Sequence, residues 1–217
     1  MKTALLFGAT GLVGRELLKR LSNDPHYSQL NVFVRRKMTI KLLNVEVIEL
    51  NFEKLNESAS QISGDDCFCA LGTTMKKAGS REAFRKVDFD LVVDIAKLAR
   101  QNGVKRFIVV SSIGADAASS NFYLKTKGEM EEALKELSFE QLIIVRPSIL
   151  LGKRNEFRFG ERIGIFLARI LSPFMLGPLK KYRAVHAKTV ARAMIKLANS
   201  SVKKTIYESR ELFEIAK

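Results

Sequence analysis

The chain has 217 residues and a mass of 24.4 kDa, with 47% hydrophobic and 28% charged residues. That suffices for one sizeable core and excludes a disordered polyelectrolyte, and with no run of about 18 uncharged apolar residues a membrane-spanning helix is excluded too. The net charge is +14, and residues 151–217, with 15 basic and five acidic side chains, hold +10 of it; this points to an anionic partner such as a phosphorylated cofactor, an acidic substrate, a membrane surface or a nucleic acid.

Met1–Phe7 reads as a short buried strand and Leu12–Leu21 as a helix, with apolar residues at 13, 17, 18 and 21. The chain opens on that strand, not on a charged, then apolar, then small-residue leader, so no signal peptide and a cytoplasmic location are expected. Val32–Val34 and Val45–Leu50 are the second and third strands, and Cys67–Leu71 is the fourth. Cys67 and Cys69 are one residue apart on it and are read as pointing to opposite faces, a poor metal pair. With only His26 and His186 besides, no metal site is expected. A long helix over Phe84–Arg100 stops at Asn102-Gly103. Phe107–Val110 is a fifth strand, Asn121–Leu137 a helix, and Leu142–Val145 a sixth strand closed by Arg146-Pro147. Alternating helices and fully apolar strands predict an α/β fold, a parallel sheet with helices on both sides.

Gly8-Ala-Thr-Gly11-Leu-Val-Gly14 joins the first strand to the first helix. In a dinucleotide site the first glycine permits the turn, the second lets backbone approach a pyrophosphate, and the third lets helix and strand pack closely. Free N–H groups at the helix start then hold the phosphates. No Gly-Lys-Ser/Thr follows, so this is not an ATPase phosphate loop. A site for unphosphorylated NAD carries an acid about 20 residues further on. Here the second strand ends in Arg35-Arg36-Lys37. Guanidinium groups match a 2′-phosphate in charge and forked geometry, so NADP(H) is expected over NAD(H).

Ser111-Ser112 follows the fifth strand at its carboxyl end, where open α/β sheets bind ligands. Tyr123 and Lys127 lie one turn apart on the next helix, on the inward stripe continued by Met130, Leu134 and Leu137. A buried ammonium needs a partner, and a cofactor ribose would supply one. Gly128 beside it disfavours helix, which hints at close backbone packing. Carbonyl reduction needs a hydride, which NADPH supplies, and a proton, which Tyr123 can give if a nearby ammonium lowers its pKa from about 10. Ser112, or Ser111, would donate a hydrogen bond to the carbonyl oxygen.

With these segments in order, the sequence resembles the short-chain dehydrogenase/reductase superfamily in its atypical branch, most closely the Tat-interacting-protein-like oxidoreductases. The resemblance covers nearly the whole chain and is carried by residues 8–15, Arg35-Arg36, Cys69–Thr74 with Lys77-Ala-Gly79, Ser111-Ser112 with Gly114-Ala-Asp116, Asn121 through Tyr123 to Lys127-Gly-Glu129, and Arg146-Pro147 with Leu150-Leu151. It implies a Rossmann-like doubly wound sheet over 1–217 as one domain, with 152–217 contributing a small basic substrate cap. It further implies an NADPH site lined by Thr10, Gly11, Leu12, Val13, Arg35, Arg36, Leu71, Gly72, Tyr123, Lys127, Leu150 and Arg158, with residues 71–74 under the nicotinamide-side ribose. The asparagine of the wider superfamily has no evident counterpart, and Asp88 lies on the helix where it would be sought.

Beyond Gly152 the alternation stops. Ile163–Leu179, apolar but broken by Pro173 and Pro178, reads as a cap over the substrate cleft, with a dimer contact or attachment to anionic lipid as alternatives. Ala187–Ala198 reads as a helix and Thr205–Glu208 as a strand, and His186 as structural or exposed. The expected function is NADPH-dependent reduction of a hydrophobic or anionic carbonyl substrate. The alternative is a non-catalytic NADPH-binding module that senses redox state and binds a protein partner. A nucleic-acid partner is not expected, for want of aromatic interleaving and a binding motif.

Overall fold

Short apolar runs bounded by turn residues become strands because a residue covered on both faces needs no polar side. The structure, a computed structural model, describes residues 1–152, 183–201 and 203–217. Seven strands form one parallel sheet: β1 (Lys2–Phe7), β2 (Tyr27–Val34), β3 (Val45–Glu49), β4 (Asp66–Cys69), β5 (Arg106–Val110), β6 (Gln141–Arg146) and β9 (Ile206–Glu208), in the order β3-β2-β1-β4-β5-β6-β9. Two short strands, β7 (Leu150–Leu151) and β8 (Val185–His186), pair in parallel beside it. The direction of strand order reverses between β1 and β4, which opens a crevice at their carboxyl ends.

Period-two alternation divides the core between the two faces. Ala4, Leu6, Phe68, Ile108, Ile143 and Val145 pack with α1 (Leu12–Leu21) and with the later helices α6 (Ala187–Ala198) and α7 (Ser209–Ile215). Leu5, Phe7, Cys67, Cys69, Phe107, Val109 and Ile144 face the other layer, which contains α4 (Leu91–Gln101) and α5 (Phe122–Glu136). Cys67 and Cys69 therefore share a face. The opposite-face expectation is corrected, because residues i and i+2 of a strand point the same way.

Several boundaries differ from expectation by a residue or more, and the fourth strand ends at Cys69, not Leu71. β2 starts at Tyr27, since Ser28, Gln29 and Asn31 interrupt its apolar pattern without ending the strand. β4 begins at Asp66, a buried carboxylate that accepts from the Tyr27 hydroxyl at 2.7 Å and pairs with Lys2 and Arg106 at 3.1 Å each. The long helix begins at Arg81, capped by the Ser80 hydroxyl, which accepts from the Ala83 N–H at 3.1 Å. It runs as α3 (Arg81–Arg85) through a π-helical turn (Lys86–Asp90) into α4. Before it, α2 (Met75–Ala78) is a single turn capped by Thr74.

Of the region assigned to a cap, α6 and β9 instead complete the main layers. The apolar stretch 163–179 and Arg158 lie outside the described residues.

Candidate cofactor and active site

The β1–α1 turn is built for backbone, not side chains. Gly8 has φ +84°, and a Cβ there would sit 2.5 Å from the Ala70 carbonyl oxygen, so the turn lies against the chain leaving β4. A Cβ on Gly14 would lie 2.0 Å from the Gly8 oxygen. Gly11 stands at the helix N-cap with no side chain to close it, and no acid lies in the first turn. The start of α1 is thereby a cradle for negative charge. Val13 is buried in the core, so it can offer a ligand only its N–H, whereas Thr10 and Gly11 are exposed and Leu12 half-buried. A Cβ on Gly152 would meet the Leu12 side chain at 2.8 Å, which brings the end of β7, with half-buried Leu150, beside the same turn.

Arg35 and Arg36, just beyond β2, are exposed. They border a cavity of about 520 Å³ also lined by Glu49, Asn51, Phe52 and Glu53. The sequence reading missed these four. Their signal is their place at the end of β3 and just beyond it, beside the end of β2. Phe52 packs at a tilt against Phe7 (6.5 Å), which stacks on Phe33 at 4.5 Å. Glu53 pairs with Lys86 at 2.9 Å, and that hydrogen bond lowers its carboxyl pKa.

At the end of β4, residues 71–74 run past the π-helical turn. The Thr73 N–H donates to Asp88 Oδ2 at 2.7 Å, and Lys127 Nζ meets Asp88 Oδ1 at 2.7 Å. Gly72 sits directly on this pair: a Cβ there would lie 3.3 Å from Asp88 Oδ1 and 4.0 Å from Lys127 Nζ. The partner of the buried lysine is thus Asp88, not the ribose invoked from sequence. Burial pulls the Lys127 ammonium toward neutrality, but the Asp88 carboxylate and the Tyr123 phenol outweigh it and raise its pKa. Tyr123, half-buried one turn earlier, packs its ring 5.6 Å from Phe84. Below it, Gly128 lets α5 touch the loop after β5: a Cβ there would fall 2.1 Å from the Ala117 nitrogen.

The two serines separate cleanly. Ser111 is buried and its hydroxyl donates to Glu131 Oε1 at 2.5 Å. Glu131 is itself held by the Arg146 fork at 2.5 to 3.2 Å. Ser112 is half-buried, with a hydroxyl bonded only weakly to the Ile113 carbonyl at 3.3 Å. Of the pair, Ser112 is the one with a hydroxyl to offer. His186 is exposed where β8 meets α6. Among the described residues no cluster of His, Cys, Asp or Glu could hold a metal.

A family model described as NAD(P)H-binding matches residues 8–201. This chain belongs to that NAD(P)H-binding family. Within it the chain is an atypical short-chain dehydrogenase/reductase of the HTATIP2 kind: it is 40% identical to Protein HTATIP2 of Rattus norvegicus over 89% of this chain and 80% of the relative. It is also 34% identical to "Protein FMP52, mitochondrial" of Eremothecium gossypii, over 99% of this chain and 97% of the relative. The name of that relative lends no support to the cytoplasmic expectation. Solved structures share the fold. MoeE5 in complex with UDP-glucose and NAD superposes with a TM-score of 0.70 at 14% identity, over 99% of this chain and 80% of the other. The UDP-glucose 4-epimerase of Thermotoga maritima gives 0.70 at 17%, over 99% and 81%.

In an NAD(P)H-binding chain of this fold, the crevice between β1 and β4 is where the dinucleotide belongs. The glycine cradle lies there, the Arg35–Phe52 cavity to one side, and residues 71–74 with Lys127 to the other. No helix among the described residues is long and apolar enough to cross a membrane.

Proposed function

We propose that the chain is an NADPH-dependent oxidoreductase that reduces the carbonyl of a small hydrophobic or anionic substrate. The observation that carries this reading is Lys127, buried, charged and fixed by Asp88 one turn below Tyr123 and against Gly72. Bound NADPH would supply a hydride to the carbonyl carbon.

The remaining tasks fall to the chain. Gly8 and Gly14 keep the cradle open for phosphates, and the first N–H groups of α1 face them. Arg35 and Arg36 would grip a 2′-phosphate, for which planar forked donors are suited. Glu49 and Glu53, on the same cavity, would repel that phosphate, and Lys86 offsets Glu53, so the preference rests on the two forked cations outweighing what remains. The phenol of Tyr123 would give its proton to the carbonyl oxygen, with the Lys127 charge steadying the phenolate that remains. Ser112 would donate to the same oxygen as charge grows on it.

The test is a fluorescence titration with NADPH and NADH. NADPH is expected to bind more tightly. Arg35→Ala with Arg36→Ala should weaken NADPH by about tenfold to a hundredfold, at roughly 1.5–3 kcal/mol for bonds to a charged group, and leave NADH nearly unchanged. Equal losses for both would sink the 2′-phosphate assignment.

A second reading has one observation in its favour. Because Asp88 already satisfies Lys127, the buried lysine demands no ribose. A redox-sensing module that binds NADPH without turnover and engages a protein partner would keep NADPH affinity and reduce no aldehyde or ketone in a broad screen.

A further inference from the structure

Residues 35–43, Arg-Arg-Lys-Met-Thr-Ile-Lys-Leu-Leu, connect β2 toward β3 and contain four basic, four apolar and no acidic residues. Residues 38–43 have no regular structure. Met38 packs against the core, and Ile40 is half-buried. Leu43, by contrast, is fully exposed, and Leu42 is 47% exposed. Lys37 and Lys41 are exposed on either side of Ile40, and neither they nor Arg35 and Arg36 form an ion pair among the described residues. A lone exposed leucine needs no explanation. Two adjacent ones immediately before β3, next to Lys41 in the chain and with Met38 packed on the core, present an apolar wedge beside a cation, at the sheet end opposite Arg35 and Arg36 because β2 and β3 run parallel.

We propose that this loop docks the protein on an anionic lipid surface, with Leu42 and Leu43 entering the headgroup–acyl boundary and Lys37 and Lys41 facing the lipid phosphates. Composition favours lipid over a protein partner. Leu42 and Leu43 stand in a stretch with no carboxylate, and the mixed-charge cavity that holds Glu49 and Glu53 lies at the other end of the sheet. Apolar insertion and attraction to anionic lipid add in such contacts, and each basic residue near the surface strengthens them. Charge complementarity selects the lipid class: a loop without an acid gains from phosphatidylglycerol or phosphatidylserine and gains little from a neutral bilayer. The proposal is independent of the nucleotide reading and uses none of the residues assigned to catalysis.

Co-sedimentation of the full-length protein with phosphatidylcholine vesicles, with and without phosphatidylglycerol, tests it. Binding to the anionic vesicles should exceed that to neutral ones by about tenfold or more. It should fall by a similar factor in Leu42→Ser/Leu43→Ser and, separately, in Lys37→Glu/Lys41→Glu, with both variants melting at the parent temperature. Raised salt should weaken the parent and the leucine variant alike. Three results would overturn the proposal. The parent could ignore anionic vesicles. Both variants could bind like the parent, which would assign the lipid contact to the basic C-terminal third. Light scattering could show a parent dimer that the leucine variant dissociates, which would make the wedge a contact between copies.

Discussion

Lys127 Nζ and Asp88 Oδ1 are 2.7 Å apart, and their side chains are 5% and 1% exposed. A pair so deeply buried is worth little against an apolar replacement of both partners, but the loss of one partner strands a charge. Asp88→Ala should therefore destabilise the protein by about 3–5 kcal/mol. Asp88→Asn should cost less, because the amide oxygen still accepts from Thr73 or Lys127. Urea unfolding of the two variants measures the difference. A loss under about 1 kcal/mol for Asp88→Ala would show that Lys127 finds another partner.

The serines make a matched pair of predictions. Ser111→Ala removes a donor from buried Glu131 and should cost about 1–3 kcal/mol of stability. Ser112→Ala should leave the unfolding midpoint in place and, once a substrate is found, lower kcat by about tenfold to a thousandfold as an oxyanion donor is lost. Thermal melts and steady-state kinetics on both variants decide it, and the reverse pattern would move the catalytic donor to Ser111.

Alkaline pH should unfold the protein early. Burial raises the Cys67 thiol, pushes the Cys69 thiol from 9.0 up to about 11, and raises the Tyr27 phenol, for which the neighbouring Asp66 charge adds to burial. Each such group keeps its proton when folded and releases it when unfolded, so the unfolded state binds fewer protons and stability drops as pH rises. Lys127 has the same sign, since its folded pKa is also raised. Stability should hold to about pH 8.5 and then fall by about 1.4 kcal/mol per pH unit for each group in its window, the Cys69 window being pH 9 to 11. Cys69→Ala should flatten the slope of melting temperature against pH between 9 and 10.5, and an unchanged slope would remove Cys69 from the account.

The glycines of the first turn should separate folding from binding. Gly14→Ala forces a Cβ to 2.0 Å from the Gly8 oxygen and should cost about 1–3 kcal/mol or more. Gly11→Ala meets the same oxygen at 3.3 Å, a contact that slight movement relieves, yet its methyl projects where phosphate would approach. Its melting temperature should stay near the parent while dinucleotide affinity falls about tenfold, roughly 1.4 kcal/mol. Calorimetric melts alongside the titration compare the two.

What was legible in the sequence was whatever has a local signature. The glycine turn, the arginines just beyond β2 and the Tyr123–Lys127 spacing are each made of residues within a few positions of one another, and the structure brings the three to one end of one sheet. The Asp88–Lys127 and Ser111–Glu131–Arg146 links join residues 39, 20 and 15 positions apart. Their side chains meet only after the sheet has ordered its strands, so no pattern of spacing announces them. The Asn51–Phe52 wall was hidden for the same reason, since β3 lies beside β2 by parallel pairing and not by a hairpin. The misreading of Cys67 and Cys69 was an error of period alone.

One residue of helix decides where Asp88 points. The π-helical turn over Lys86–Asp90 contains one residue more than an α-helix would use for the same rise. Phe84 before it stays against Tyr123, while Ile95 and Ala99 after it stay in the core below β4 and β5. Excising a single residue there would rewind the turn to ordinary pitch with the segments on either side still in phase, because the widened turn is what absorbs the extra residue. The apolar layers would then keep their register, and what would move is the carboxylate. In this helix a deletion of one position would leave the hydrophobic contacts aligned and an ammonium without its counter-ion, so the chemistry of the protein, and the stability tied to that buried pair, hang on the number of residues at 86–90.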